Sequence, residues 1–196
     1  MNNFYERYPE LECCKADIED ALNLMIDTYE RKGKILVCGN GGSASDSEHI
    51  VGELMKGFLL ERKVNDEKIS KDLSKNLQGA LPAISLNSQV SLMTAFNNDL
   101  DPDFVFAQQV YGYANENDLL IGISTSGNSK NVVNAVKLAK SMGIKSLALT
   151  GGIGGQIKKL ATTTICVPSN ETFRIQEYHL PIYHYLCAMV EKRFFK

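Results

Sequence analysis

Twice in this chain an apolar run of strand length passes straight into a glycine- or hydroxyl-rich turn and then into a helical pattern, and that succession limits the fold more than any other feature. Lys34-Ile-Leu-Val-Cys38 leads through Gly39-Asn-Gly-Gly-Ser43 into a helical pattern over about 45–57. Asp118-Leu-Leu-Ile-Gly-Ile123 leads through Ser124-Thr-Ser-Gly-Asn-Ser129 into one over 130–142. A third run, 145–149, meets Thr-Gly-Gly and another short helical stretch, while 83–86 and 163–167 complete five strand candidates. Helical recurrence also marks 11–30, 90–96, 103–113 and 174–193. Strands that are apolar throughout and alternate with helices imply a parallel sheet covered on both faces. The predicted fold is therefore α/β: a three-layer α/β/α sandwich with a central five-stranded, mostly parallel sheet plus N-terminal and C-terminal helices. Ligands of such sheets collect outside the carboxyl ends of the strands, where both turns fall.

A length of 196 residues suits one substantial core, so 1–196 is expected to be a single domain with a helical extension over 1–33 and a charged insertion over 60–80. Within the insertion, Val64, Ile69, Leu73 and Leu77 suggest one weak face of a surface helix; a lid or a subunit contact is the alternative. A net charge of -2 offers no general attraction to nucleic acid or an anionic membrane. The leading residues lack a basic-then-apolar leader and no apolar run is long enough to span a bilayer, so a cytoplasmic location is expected. Five cysteines without C-x-x-C spacing, two of them (Cys38 and Cys166) inside strand-like runs, read as reduced thiols.

The first turn places Asn40, Gly41 and Gly42 between a strand and a helix, where free backbone N–H groups and the helix dipole attract an anion. Tight packing explains such glycines equally well. The spacing lacks the third glycine of a dinucleotide fingerprint, and no Walker-type Gly-Lys-Ser/Thr follows, which disfavours nucleotides. The second turn offers Ser124, Thr125, Ser126 and Ser129. One hydroxyl would suffice to cap the following helix. Four of them beside backbone N–H groups favour a phosphate monoester.

Groups able to move protons stand on two helical patterns. His49 and Glu53 are four apart and share a face, as a metal pair, a substrate pair or a plain surface pair would. Near the chain's end Gln176, Leu180 and His184 run along one side of the closing helix. Gln176 and His184 are separated by about 12 Å of helix rise, which makes a shared ion tight and favours a site completed by two subunits. His179 points elsewhere and is expected at the surface or in an interface, and Pro181 suggests a kink or a later helix start.

The segments CGNGGSASDSEHIVGEL, GISTSGNSKNV, LTGG and RIQEYHLPIYH, in this order, resemble those of SIS (sugar isomerase) domain proteins, and among these the bacterial phosphoheptose isomerases. The resemblance implies a flavodoxin-like SIS sheet and an aldose–ketose isomerase that interconverts sedoheptulose 7-phosphate and glycero-manno-heptose 7-phosphate. It implies that Asn40, Gly41 and Gly42 touch substrate, that Ser124, Thr125, Ser126 and Ser129 hold the phosphate, and that Asn98 and Asp99, closing an A-F-x-N-D stretch, are further contacts. It assigns His49, Glu53, Gln176 and His184 to a zinc ion, with Glu53 and Gln176 also on the substrate. Ketose–aldose exchange through an enediol needs a base near the carbon and an acid near the carbonyl oxygen, for which Glu53 and His184 are the expected pair. A homotetramer is implied as well. The chain departs from the family at Phe173, where some members carry aspartate, and in its insertion. The rival implied by the same resemblance is a non-catalytic SIS protein like the DnaA initiator-associating protein; a sugar-phosphate sensor or an isomerase of another phosphosugar are further alternatives.

Overall fold

The computed structural model describes residues 3–195. The chain opens with the short helix α1 (Phe4–Arg7) and a 3-10 turn, then α2 (Lys15–Glu30), β1 (Ile35–Gly39) and α3 (Gly42–Met55). It continues through the single-turn α4 (Lys71–Ser74), β2 (Ala83–Ser85), α5 (Val90–Asp99), α6 (Val105–Tyr113), β3 (Leu119–Ile123) and α7 (Lys130–Ser141). The last elements are β4 (Lys145–Gly151), a 3-10 turn, β5 (Thr163–Val167) and the long α8 (Thr172–Phe194). The strands form one five-stranded sheet in the order β2-β1-β3-β4-β5, and every neighbouring pair is parallel.

The residues alternate between two cores, as the two-residue period of a strand requires. Ile35, Val37, Leu119, Ile121, Leu147, Leu149 and Ile165 face a core shared with α2, α3 and α8, whose Ile18, Met25, Ile50, Leu54, Ile182 and Leu186 are buried against them. Leu36, Cys38, Leu120 and Ala148 face the other layer, built on Phe106 and Val110 of α6 and Val132 and Val136 of α7. The expected three layers are therefore present. All five cysteines are free thiols, and burial raises that of Cys38 to about 12. Among the described residues no helix is long and apolar enough to cross a membrane.

Three expectations are corrected. Residues 61–79 do not form a surface helix: one helical turn, α4, is present, with Leu73 and Leu77 exposed, and a lone antiparallel bridge joins Lys63 to Gln78. Of the weak apolar face only Val64 and Ile69 are half-buried, and the segment is anchored by the fully buried Arg62. Helix α8 runs through Pro181 instead of starting after it. His179 is fully buried, not at the surface; its Nε2 lies 3.3 Å from the carbonyl oxygen of Thr150 on β4.

Candidate functional site

Strands β1 and β3 are neighbours, with Gly39 opposite Ile123, while the chain leaves β1 toward β2 on one side and β3 toward β4 on the other. That is a topological switch point, and the crevice at its carboxyl end is where open α/β sheets take ligands. Both predicted turns start there, from register-matched residues. In the first, Gly41 adopts φ +57°, a left-handed conformation open to glycine at little cost. Asn87 brackets the strand end: its Nδ2 donates to the carbonyl of Gly39 at 2.8 Å and its Oδ1 accepts from the Gly39 N–H at 3.2 Å. Ser47 adds a hydroxyl to the same Oδ1 at 3.0 Å. Asn40 and Asn131 exchange two amide hydrogen bonds of 2.9 Å, which tie this turn to the first residues of α7.

In the second turn the hydroxyl of Ser124 donates to Ser129 at 3.0 Å, and that of Ser126 accepts from the Asn128 N–H at 3.2 Å. Ser129 occupies the N-cap of α7, yet its side chain makes no capping bond. The capping role of Ser129 is thus unfilled, and among the described residues the hydroxyl protons of Ser126 and Ser129 have no acceptor, while that of Ser124 is taken by Ser129. The loop after β4 supports the turn from below through bonds of 3.0 Å from Gln156 N to Asn128 Oδ1 and from Ile157 N to Gly127 O.

The groups expected to move protons converge where α3 and α8 lie side by side, running in the same direction. Gln176 lies against Gly42 at the start of α3, and His184 meets His49 farther along, with 3.3 Å between their Nε2 atoms. His49 Nε2 is also 3.1 Å from Glu53 Oε1. His49, Glu53 and His184 each bring one ligand atom to within 4.8 Å of the others. Gln176 keeps to the glycine turn, about two helical turns or 10 Å of rise before His49. Asn98 and Asp99 stand exposed at the end of α5, where they bond each other at 2.8 Å; among the described residues they make no hydrogen bond to either turn.

Burial, and next to it the neighbouring His49, lowers the pKa of His184, with Glu53 opposing. That shift favours its neutral imidazole. Three possible ligand atoms, two imidazole nitrogens and a carboxylate oxygen, thus lie within reach of one another, and the second oxygen of Glu53 is buried without a hydrogen-bond partner. Nitrogen and carboxylate ligands at that separation fit a divalent cation of the zinc type.

Four side chains that sequence reasoning did not single out complete the surroundings. The Tyr183 hydroxyl lies 3.0 Å from His49 Nδ1 and 3.2 Å from Asp46 Oδ1. Arg62 donates to the carbonyls of Leu54 at 2.6 Å and Glu53 at 2.9 Å, and to Glu191 at 2.8 Å. Glu191 in turn accepts the backbone N–H groups of Phe58, Leu59 and Leu60 at 2.7–3.1 Å. Asp46 was visible as the residue one turn before His49; Arg62 carried no local signal, since only the fold brings it to Glu191.

Known proteins are similar to this chain over most of its length. The SIS domain family profile matches residues 10–151. Phosphoheptose isomerase of Helicobacter pylori (strain P12) is 45% identical over 184 residues, which cover 94% of this chain and 88% of the relative. That of Citrifermentans bemidjiense is 44% identical over 178 residues, 91% and 84% of the two chains. Among solved structures, phosphoheptose isomerase GmhA from Neisseria gonorrhoeae superposes with a TM-score of 0.78 at 33% identity, covering 97% of this chain and 96% of that one.

Proposed function

This chain belongs to the SIS domain family, and from that membership we propose that it is an aldose–ketose isomerase acting on a phosphorylated sugar. We assign it the interconversion of sedoheptulose 7-phosphate and glycero-manno-heptose 7-phosphate, in a cytoplasmic homotetramer with one zinc ion per site. Relatives named phosphoheptose isomerase over nearly the whole chain support the substrate class. The observation that carries the reading is the meeting of His49 and Glu53 of α3 with His184 of α8, α3 being the helix that follows the first switch-point turn.

In this reading the hydroxyls of Ser124, Thr125, Ser126 and Ser129, with the backbone N–H groups at the start of α7, grip the phosphate monoester. Asn40, Gly41, Gly42 and Gln176 line the path from there to the reacting carbons, and Asn98 and Asp99 add contacts from α5. Glu53 takes a proton from C1 of the ketose at its carboxylate and returns one to C2, while the neutral imidazole of His184 lends an N–H proton to the carbonyl oxygen and recovers it from the enediol. His49, Glu53 and His184 would hold the zinc ion, with Gln176 assigned as its further ligand. When bound, the metal supplies Lewis-acid polarisation of the substrate oxygen.

The test is an assay with sedoheptulose 7-phosphate in deuterated water, for the wild type, Glu53→Gln and His184→Ala. The wild type should place solvent deuterium at C2 of the aldose. Each variant should lose on the order of 10²–10⁴-fold in kcat, the usual contribution of a positioned acid or base, while keeping its fold. Either variant turning over at the wild-type rate refutes the assignment.

A further inference from the structure

The side chains of Arg62 and Glu191 are wholly buried, and neither enters the chemistry proposed above. Their hydrogen bonds nevertheless reach toward both of its proton-handling groups. The guanidinium donates to the carbonyls of Glu53 at 2.9 Å and Leu54 at 2.6 Å, in the last turn of α3, where backbone carbonyls lack partners within the helix. Its Nε donates to Glu191 at 2.8 Å. The Glu191 carboxylate also accepts the N–H groups of Phe58, Leu59 and Leu60. From the bend so held, the Phe58 ring lies against the imidazole of His184, with centroids 5.5 Å apart and planes tilted by 39°. His184 and Glu191 are about two turns apart on α8 and share one side of it.

We propose that Arg62 and Glu191 are positioning residues for the isomerisation: Arg62 fixes the main chain that carries Glu53, and Glu191 fixes the bend that seats Phe58 on His184. The purpose rests on the acid–base reading of Glu53 and His184, whereas the geometry stands without it. Packing alone could join α3 to α8, but apolar contacts have no direction. A rigid guanidinium fork and a carboxylate that accepts four donors admit one arrangement of the groups around them. Here that arrangement ties α3, the bend after it and α8 into one unit. Glu53 and His184 stand on different helices, so a small slide of α3 along α8 would change their separation. Misplacement by about 1 Å can cost on the order of 100-fold in rate. The phosphate is assigned to the turn after β3, to which neither Arg62 nor Glu191 is hydrogen-bonded among the described residues. Loosening the pair should therefore act on turnover and spare affinity.

Two variants separate positioning from mere stability. Arg62→Lys keeps the charge but cannot serve Glu191 and two carbonyls from one planar fork. Phe58→Leu keeps every backbone bond to Glu191 and removes only the ring from His184. Both are assayed with sedoheptulose 7-phosphate well below their unfolding midpoints, with the folded fraction taken from circular dichroism. Turnover per folded molecule should fall about 10–100-fold in Arg62→Lys and several-fold in Phe58→Leu, with KM within about twofold of wild type. A second readout needs no turnover: the ring-proton resonances of the three histidines in metal-free protein at one fixed pH. Loss of the Phe58 ring current in Phe58→Leu should move the His184 signals and leave those of His179 in place, and Arg62→Lys should move the same signals. His184 signals unchanged in either variant overturn the proposal, as does a KM rise as large as the fall in kcat. If Arg62→Lys does not fold, Phe58→Leu, which disturbs no buried charge, decides: wild-type kcat there overturns the proposal. A wild type without isomerase activity overturns the acid–base reading instead, and the histidine signals still decide whether the pair seats Phe58.

Discussion

Replacement of Arg62 by Met should destabilise this protein more than any comparable change outside the hydrophobic core. Both side chains of the Arg62–Glu191 pair have 0% exposure, so the methionine would leave a carboxylate buried without its counter-ion. Three backbone N–H groups still serve Glu191, but the carbonyls of Glu53 and Leu54 lose a charged donor. Breaking a buried ion pair from one side costs about 3–5 kcal/mol. For a chain of this length each kcal/mol shifts Tm by about 2–4 °C, so the midpoint should drop by roughly 6–20 °C. Urea unfolding at fixed protein concentration measures the free energy, because subunit association would otherwise contribute. Glu191→Met added to Arg62→Met should not restore stability, since it strands the N–H groups of residues 58–60. The carboxylate's pKa is lowered: burial pushes it up, but the N–H groups of Phe58 and Leu59 and the Arg62 guanidinium outweigh that. Its contribution is thus complete above the ordinary glutamate range and is lost as pH falls through the depressed value. A single variant within about 1 kcal/mol of wild type, or a double variant as stable as wild type, would refute this reasoning.

His179 is held neutral by burial, its pKa lowered to about 4, so the unfolded chain takes up a proton that the folded one refuses between about pH 6.5 and 4. Stability should fall by up to about 3 kcal/mol across that window, and His179→Leu should flatten the acid limb of a stability-versus-pH curve. Gly42→Ala would set a methyl group 2.6 Å from the Gln176 amide nitrogen; that side chain can swing away, so the fold should persist while KM for the sugar phosphate rises several-fold. Gly127→Ala meets the backbone carbonyl of Gly154 at a φ of +67°, neither of which can yield cheaply. It should cost at least about 1–2 kcal/mol and weaken protection by inorganic phosphate against thermal unfolding.

Much of this was legible in the chain. Five strands, their parallel arrangement and the two turns followed from apolar runs bounded by glycines and hydroxyls, because buried parallel strands leave that trace wherever they occur. His49 with Glu53 was visible as an i, i+4 pair. The remaining features depend on tertiary partners. His179 looked like a surface residue because its helical face could not be known before α8 met β4, where the Thr150 carbonyl receives it. Residues 61–79 carried a faint helical period, but of that face only Val64 and Ile69 are half-buried, and the buried Arg62 anchors the segment. Pro181 argued for a break in α8. The missing N–H is one bond in a helix whose Ile182, Tyr183, Leu186 and Val190 are buried, and packing prevails over propensity.

The amino ends of β1 and β3 are bonded through Lys34 and Asp118, 84 residues apart in sequence, and β2 lies within the loop they close. Such a distant pairing is entropically slow to make, and neither turn has its neighbour until it is made. Competence for chemistry therefore cannot arrive piecemeal. During refolding, regained turnover should track the slowest phase of sheet formation, and a fragment ending before β3 should hold neither the crevice nor its ligand.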